Sequence, residues 1–136
     1  MLKRLKEKEE EIQQVLEDLR EESARGIPIF VEGRNDVETL RALGVEGNIV
    51  TVKTGGKSFL DVVSDVEKAK ATEVVLMLDF DRTGKQVTNR LKQGLEQGGV
   101  KVNLRFWLAL LGLAGKDVQC VEGLEAYLEN LQDKIG

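Results

Sequence analysis

Histidine is absent from all 136 residues. Its absence excludes Ser-His and Cys-His nucleophilic systems and removes the commonest general base and metal ligand. One cysteine, Cys120, allows neither an internal disulfide nor a cysteine-cluster zinc site, and its expected role is that of a small buried thiol in a reducing compartment. Aromatic residues make up only 4% of the chain, too few for an extended base-stacking platform. No apolar stretch approaches the ~20 residues that span a bilayer, and the N-terminus is charged rather than signal-like, so a cytoplasmic protein without membrane contact is expected.

Charge is plentiful. With 20 Lys and Arg against 24 Asp and Glu the net charge is −4, so any nucleic-acid contact has to be local rather than spread over the surface. The hydrophobic fraction of 41% is ample for one packed core, and the length suits one domain with an appended element. Without imidazole or thiolate clusters, the remaining chemistry is that of carboxylates, lysine and arginine. Hard oxygen ligands of this kind suit Mg²⁺, with Mn²⁺ as its substitute.

The first 25 residues read as an amphipathic helix, with Leu2, Leu5, Ile12, Leu16 and Leu19 at heptad-like spacing. That stripe packs either on its own domain or against a second copy or a protein partner as a short coiled coil. Gly26 and Pro28 mark the boundary before an α/β body. Strands are expected near 27–32, 48–53, 73–79 and 101–106, with helices near 35–43, 58–70 and 83–97 between them. This alternation predicts a parallel sheet of about four strands flanked by helices, in a domain over 26–115. The run from Leu104 to Leu113 is apolar almost throughout, and periodicity does not separate strand from helix there. A C-terminal helix over 116–136 closes the domain through Leu124, Tyr127, Leu128 and Leu131.

Two apolar runs end in carboxylates: Ile29-Phe30-Val31-Glu32-Gly33 and Val74-Val75-Leu76-Met77-Leu78-Asp79-Phe80-Asp81. If the two strands lie side by side, Glu32, Asp79 and Asp81 converge at one edge of the sheet, where open α/β sheets bind ligands. Asp79 follows five apolar residues, and an unpaired carboxylate in such a place costs several kcal/mol unless a cation or donors meet it. The three acids are therefore read as a metal site, against the alternatives of a solvated Glu32 and an Asp81 that merely caps a helix. Asp36 either caps a helix or supports the site. Arg34, Arg82 and Lys85 flank the acids and are candidate phosphate contacts. Thr54-Gly55-Gly56-Lys57-Ser58 lacks the first glycine of a P-loop, since Thr51 stands in its place, although a glycine turn before a helix can receive a phosphate with Lys57 adding charge. Tyr127 and Trp107 are read as packing residues.

Glu32-Gly33 and Asp79-Phe80-Asp81-Arg82-Thr83-Gly84 resemble the two signature motifs of the Toprim domain, which is found in type IA topoisomerases, gyrase, primases, overcoming-lysogenization-defect nucleases and ribosomal-RNA maturases. The resemblance covers about residues 27–110. Val31-Glu32-Gly33-Arg34-Asn35-Asp36-Val37 and the closing Asp117-Val118, Val121-Glu122-Gly123-Leu124 and Tyr127-Leu128 are similar to small stand-alone archaeal-type Toprim proteins. The resemblance implies a Rossmann-like fold and Mg²⁺-dependent phosphoryl transfer on RNA or DNA. Within it, Glu32 would act as general acid or base, Glu32, Asp79 and Asp81 would form the metal-binding set, and Arg34, Lys57, Arg82 and Lys85 would contact substrate. The alternative it leaves is a non-catalytic, metal-dependent module that binds nucleic acid or nucleotide within a larger complex. Many topoisomerases carry a third acid two positions after the second aspartate, where this chain has Thr83; that departure bears on a two-metal site.

Overall fold

A computed structural model describes residues 1–53 and 58–136. The glycine-rich segment 54–57 read above as a phosphate-receiving candidate, and with it Lys57, lies outside the described residues.

Short β-branched runs flanked by helices form four parallel strands among these residues: β1 (Ile29–Val31), β2 (Ile49–Thr51), β3 (Glu73–Leu76) and β4 (Lys101–Asn103), in the order β2-β1-β3-β4. The helices are α1 (Leu2–Ala24), α2 (Arg34–Ala42), α3 (Phe59–Lys68), α4 (Arg82–Gln97), α5 (Arg105–Ala114) and α6 (Leu124–Ile135), with a 3-10 turn at Val121–Gly123. Chain order and strand order part company between β1 and β3. The chain runs from β1 outward to β2, then crosses back over to β3, which makes the β1–β3 boundary the switch point of the sheet.

Each face of the sheet has its own core, as the two-residue period of a strand requires. Ile29, Val31, Val75 and Met77 pack with α1, α5 and α6, whereas Phe30, Val74, Leu76 and Leu78 pack with Val62 and Val66 of α3 and Leu91 and Leu95 of α4. Most of the α1 stripe packs within the chain: Ile12, Leu16 and Leu19 are fully buried in the first core and Leu5 packs against it, whereas Leu2 is exposed. Each fully buried side chain contributes about 1.5–3 kcal/mol through burial.

The third and fourth strands each end about three residues earlier than their sequence suggests. β3 stops at Leu76, although Met77 and Leu78 stay fully buried up to Asp79. β4 stops at Asn103, whose side-chain oxygen accepts the Arg105 backbone N–H at 2.9 Å and so starts a helix. The ambiguous run from Leu104 is therefore helical, with Phe106, Trp107 and Leu110 facing the core. None of the described helices is long and apolar enough to cross a membrane.

Candidate functional site

β1 and β3 deliver Glu32 and Asp79 to the same end of the sheet. Their register pairs Phe30 with Leu76, and Met77 N–H continues the ladder to Phe30 O at 2.8 Å. Beyond the ladder, two bonds peg the chain on either side of Asp79. Trp107 Nε1–H donates to Leu78 O at 2.9 Å, and Phe80 N–H donates to Gln119 O at 2.8 Å. Trp107 is thus a core residue, as its sequence context suggested, and also one that fixes the backbone next to an acid.

Gly84 completes the setting of Asp79. A Cβ at Gly84 would run into the Asp79 backbone carbonyl, so only glycine lets α4 start this close to the strand end. Asp81 is the N-cap of α4, its Oδ1 accepting Gly84 N–H at 2.7 Å. Capping and proximity to the other acids coexist here, because Asp81 lies within electrostatic reach of both Asp79 and Lys53.

Glu32 is only 5% exposed. Its Oε1 and the Oδ1 of Asp79 are buried and accept no hydrogen bond among the described residues. Lys53 Nζ stands 2.6 Å from Glu32 Oε2, a contact made by distance and charge. Burial pushes the Asp79 carboxyl up from its ordinary 3.8 to about 7, reinforced by the negative charges of Glu32, Asp36 and Asp81 and partly offset by Lys53. Glu32 and the more distant acids hold the Lys53 ammonium above its usual range despite some desolvation.

Asp36 is a structural clamp. Its Oδ2 accepts Gly33 N–H at 3.0 Å, while Oδ1 accepts Glu122 N–H at 2.9 Å, which joins the start of α2 to the 3-10 turn. Asn35 Nδ2–H reaches Glu122 Oε1 at 3.3 Å and Thr39 donates its hydroxyl to Glu122 O at 3.3 Å. The C-terminal segment therefore borders the site, which sequence order alone does not reveal. Cys120 belongs to that border. It is half-buried rather than enclosed, and burial together with the facing charges of Asp79, Asp36 and Glu122 keeps its thiol above the ordinary range.

The expected phosphate contacts are distributed unevenly. Arg34 opens α2, Arg82 opens α4 and Lys85 sits in the first turn of α4; all three are exposed and form no ion pair with the described acids. Lys53 was not among the expected residues. Its signal lay in the register: Val31 pairs with Thr51, so the residue two beyond β2 arrives beside the residue one beyond β1. Tyr127 stands apart from the acids; its hydroxyl donates to Asp117 Oδ2 at 3.2 Å and accepts from Lys8 Nζ at 3.4 Å.

Among the described residues no three acidic or thiol side chains stand close enough together to hold a metal ion unaided. The donor set nevertheless fits a hard divalent cation of modest protein ligation. Two buried carboxylate oxygens lack donors, and Mg²⁺ is typically held by one or two carboxylates, water and substrate phosphate rather than by an all-protein cage.

The Toprim domain model matches residues 28–104. A UPF0292 protein of Methanosarcina barkeri is 33% identical over 127 residues, covering 93% of this chain and 87% of that protein. A UPF0292 protein of Methanocaldococcus jannaschii is 31% identical over 120 residues, covering 88% and 91% respectively. A solved structure of a protein from Aquifex aeolicus superposes with a TM-score of 0.66 at 28% identity, covering 80% of this chain and 94% of that one. With two carboxylate motifs at the ends of adjacent parallel strands and a family match spanning the whole sheet, the chain belongs to the Toprim-domain family.

Proposed function

We propose that this protein carries out Mg²⁺-dependent phosphoryl transfer on nucleic acid, in the manner of a nuclease. Membership of the Toprim family supports a metal-dependent role tied to nucleic acid. The observation that carries the finer reading is the pair of buried, donor-free carboxylate oxygens, Glu32 Oε1 and Asp79 Oδ1, at the switch point of the sheet. Asp79, with Asp81 beside it, is the group that would hold the cation, with Glu32 completing the set.

A bound divalent ion there would neutralise charge developing on a phosphodiester. Glu32, shielded from water, is suited to giving or taking a proton at the bridging oxygen through Oε1. Lys53 balances the Glu32 charge and is itself largely exposed, so it can exchange the carboxylate for a phosphate oxygen when a strand arrives. Arg34, Arg82 and Lys85 project from helix starts, where backbone N–H groups add to the attraction for phosphate.

A second reading is a metal-dependent nucleic-acid binding module without cleavage. It is favoured by the Asp81 oxygen spent on capping and by the lack of a ready-made three-acid cluster among the described residues.

Cleavage of structured RNA and of single- and double-stranded DNA with Mg²⁺ or Mn²⁺ tests the choice. Loss of cleavage in both Glu32→Gln and Asp79→Asn is the expected result. A wild type that cuts none of these substrates, yet binds them in a Mg²⁺-dependent way, would favour the second reading.

A further inference from the structure

Beside the carboxylates lies a small cavity of about 190 Å³ between β2, α3 and α4. Its floor is apolar, formed by Val62 and Leu91, with Val87 on the α4 side. Phe59 supplies an aromatic wall, and Lys53 and Arg90 stand at its rim; no acidic side chain is among its described lining residues.

The aromatic wall is built into the fold. Gly94 lies inside α4, where glycine costs about 1 kcal/mol relative to alanine. A Cβ there would come within 2.5 Å of the Phe59 ring, so the glycine makes the room in which the ring rests. The Arg90 guanidinium covers the same ring at 5.2 Å from its centroid.

An apolar floor, an aromatic wall and two rim cations, Arg90 over the Phe59 ring and Lys53 shared with Glu32, complement a ligand that is flat and apolar at one end and anionic at the other. Such a ligand is a nucleotide: the base has a π-face for Phe59 and Arg90, and the phosphate meets Lys53. The location adds a second argument. Lys53 lines this cavity and also pairs with Glu32, so the cavity is one side chain away from the candidate site. We propose that the cavity receives a single unstacked base of a nucleic-acid strand whose neighbouring phosphate lies at Glu32 and Asp79. The cavity would thereby set where along a strand the carboxylates act, and would select single-stranded or frayed substrates, since a base in a duplex cannot enter it. This deepens the proposed function and rests on it.

The test uses the full chain with three probes: a single-stranded adenine hexanucleotide in RNA and DNA form, the same backbone stripped of its bases, and adenosine 5′-monophosphate. Affinity and methyl NMR shifts are read in Mg²⁺ and again in EDTA. The expected result is binding of the hexanucleotide about tenfold tighter than of the base-free backbone. Shifts should be concentrated at the Val62, Val87 and Leu91 methyls, and the mononucleotide should bind more weakly than the hexanucleotide. Val87→Trp fills the cavity and should bring both strands to the same affinity. Phe59→Leu, which keeps apolar volume and removes the ring, should narrow the ratio even if the tryptophan variant misfolds. Equal affinity for both strands overturns the proposal, as do shifts away from these methyls or a mononucleotide that binds as tightly as the strand. The two readings fail separately: a base-dependent ratio that persists while Mg²⁺ affects neither binding nor cleavage removes the phosphoryl-transfer reading and keeps the cavity's preference for a base.

Discussion

Lys53 Nζ lies 2.6 Å from Glu32 Oε2, a largely exposed cation held on a carboxylate that is almost wholly out of water. The ammonium occupies part of the negative field that a metal ion would otherwise use. Lys53→Met is therefore expected to bind Mg²⁺ more tightly than the wild type, as titration calorimetry would show, and single-stranded nucleic acid less tightly. Without metal the variant should lose about 1–2 kcal/mol of stability at neutral pH, since Glu32 is left buried with no partner. The ammonium is held above its ordinary 10.5, so its contribution is complete at pH 7 and is lost as pH rises through that raised value.

Asp79 carries a pH signature of the same sign in a lower window. Its carboxyl rises from 3.8 to about 7 on folding, chiefly through burial, so the fold prefers the protonated form. There is no penalty below the unfolded value; the penalty grows as pH rises from about 4 to about 7 and is constant above that. Urea unfolding of Asp79→Asn against wild type should show the variant gaining relative stability over this window, by about 1–2 kcal/mol once solvent screening of a partly exposed group is allowed for. Saturating Mg²⁺ should shrink the difference by stabilising the wild type alone.

Much of this site is legible in the sequence because its signals are local. Each acid ends an apolar run, and the runs are short and β-branched enough to read as buried strands, which puts Glu32 beside Asp79 once the two pair. Lys53 and Glu122 are not legible in that way. One depends on the β1–β2 register and the other on a C-terminal turn folding back over α2 through Asp36, and neither relationship has a local pattern. The end of β4 is hidden for a different reason. Leu104 to Leu113 is apolar on nearly every side, and the Asn103 side chain, rather than any periodicity, fixes where the helix begins.

The close approach of Gly84 to the Asp79 carbonyl has a mutational consequence. Gly84→Ala forces α4 away from the strand end and should cost about 1–3 kcal/mol. Metal affinity should fall by more than that stability loss explains, since Asp79 moves with its backbone. Trp107→Phe, which keeps the packing but removes the bond to Leu78 O, should cost about 1 kcal/mol and weaken metal binding in the same direction. Thermal unfolding with and without Mn²⁺ separates the two effects.

Ile12, Leu16 and Leu19 of the α1 stripe are buried inside their own chain. Leu16→Ala should therefore lower stability by about 2–5 kcal/mol, with a value independent of protein concentration. Denaturation at two concentrations a hundredfold apart checks it; a concentration-dependent midpoint would instead indicate that this stripe joins two copies.

The central claim, that Glu32 and Asp79 together hold a divalent cation, is tested most directly by counting bound Mn²⁺ by electron paramagnetic resonance in the wild type, Glu32→Gln and Asp79→Asn. The account expects one ion per chain in the wild type, abolished in Asp79→Asn and weakened in Glu32→Gln. Equal binding by all three folded proteins would contradict it.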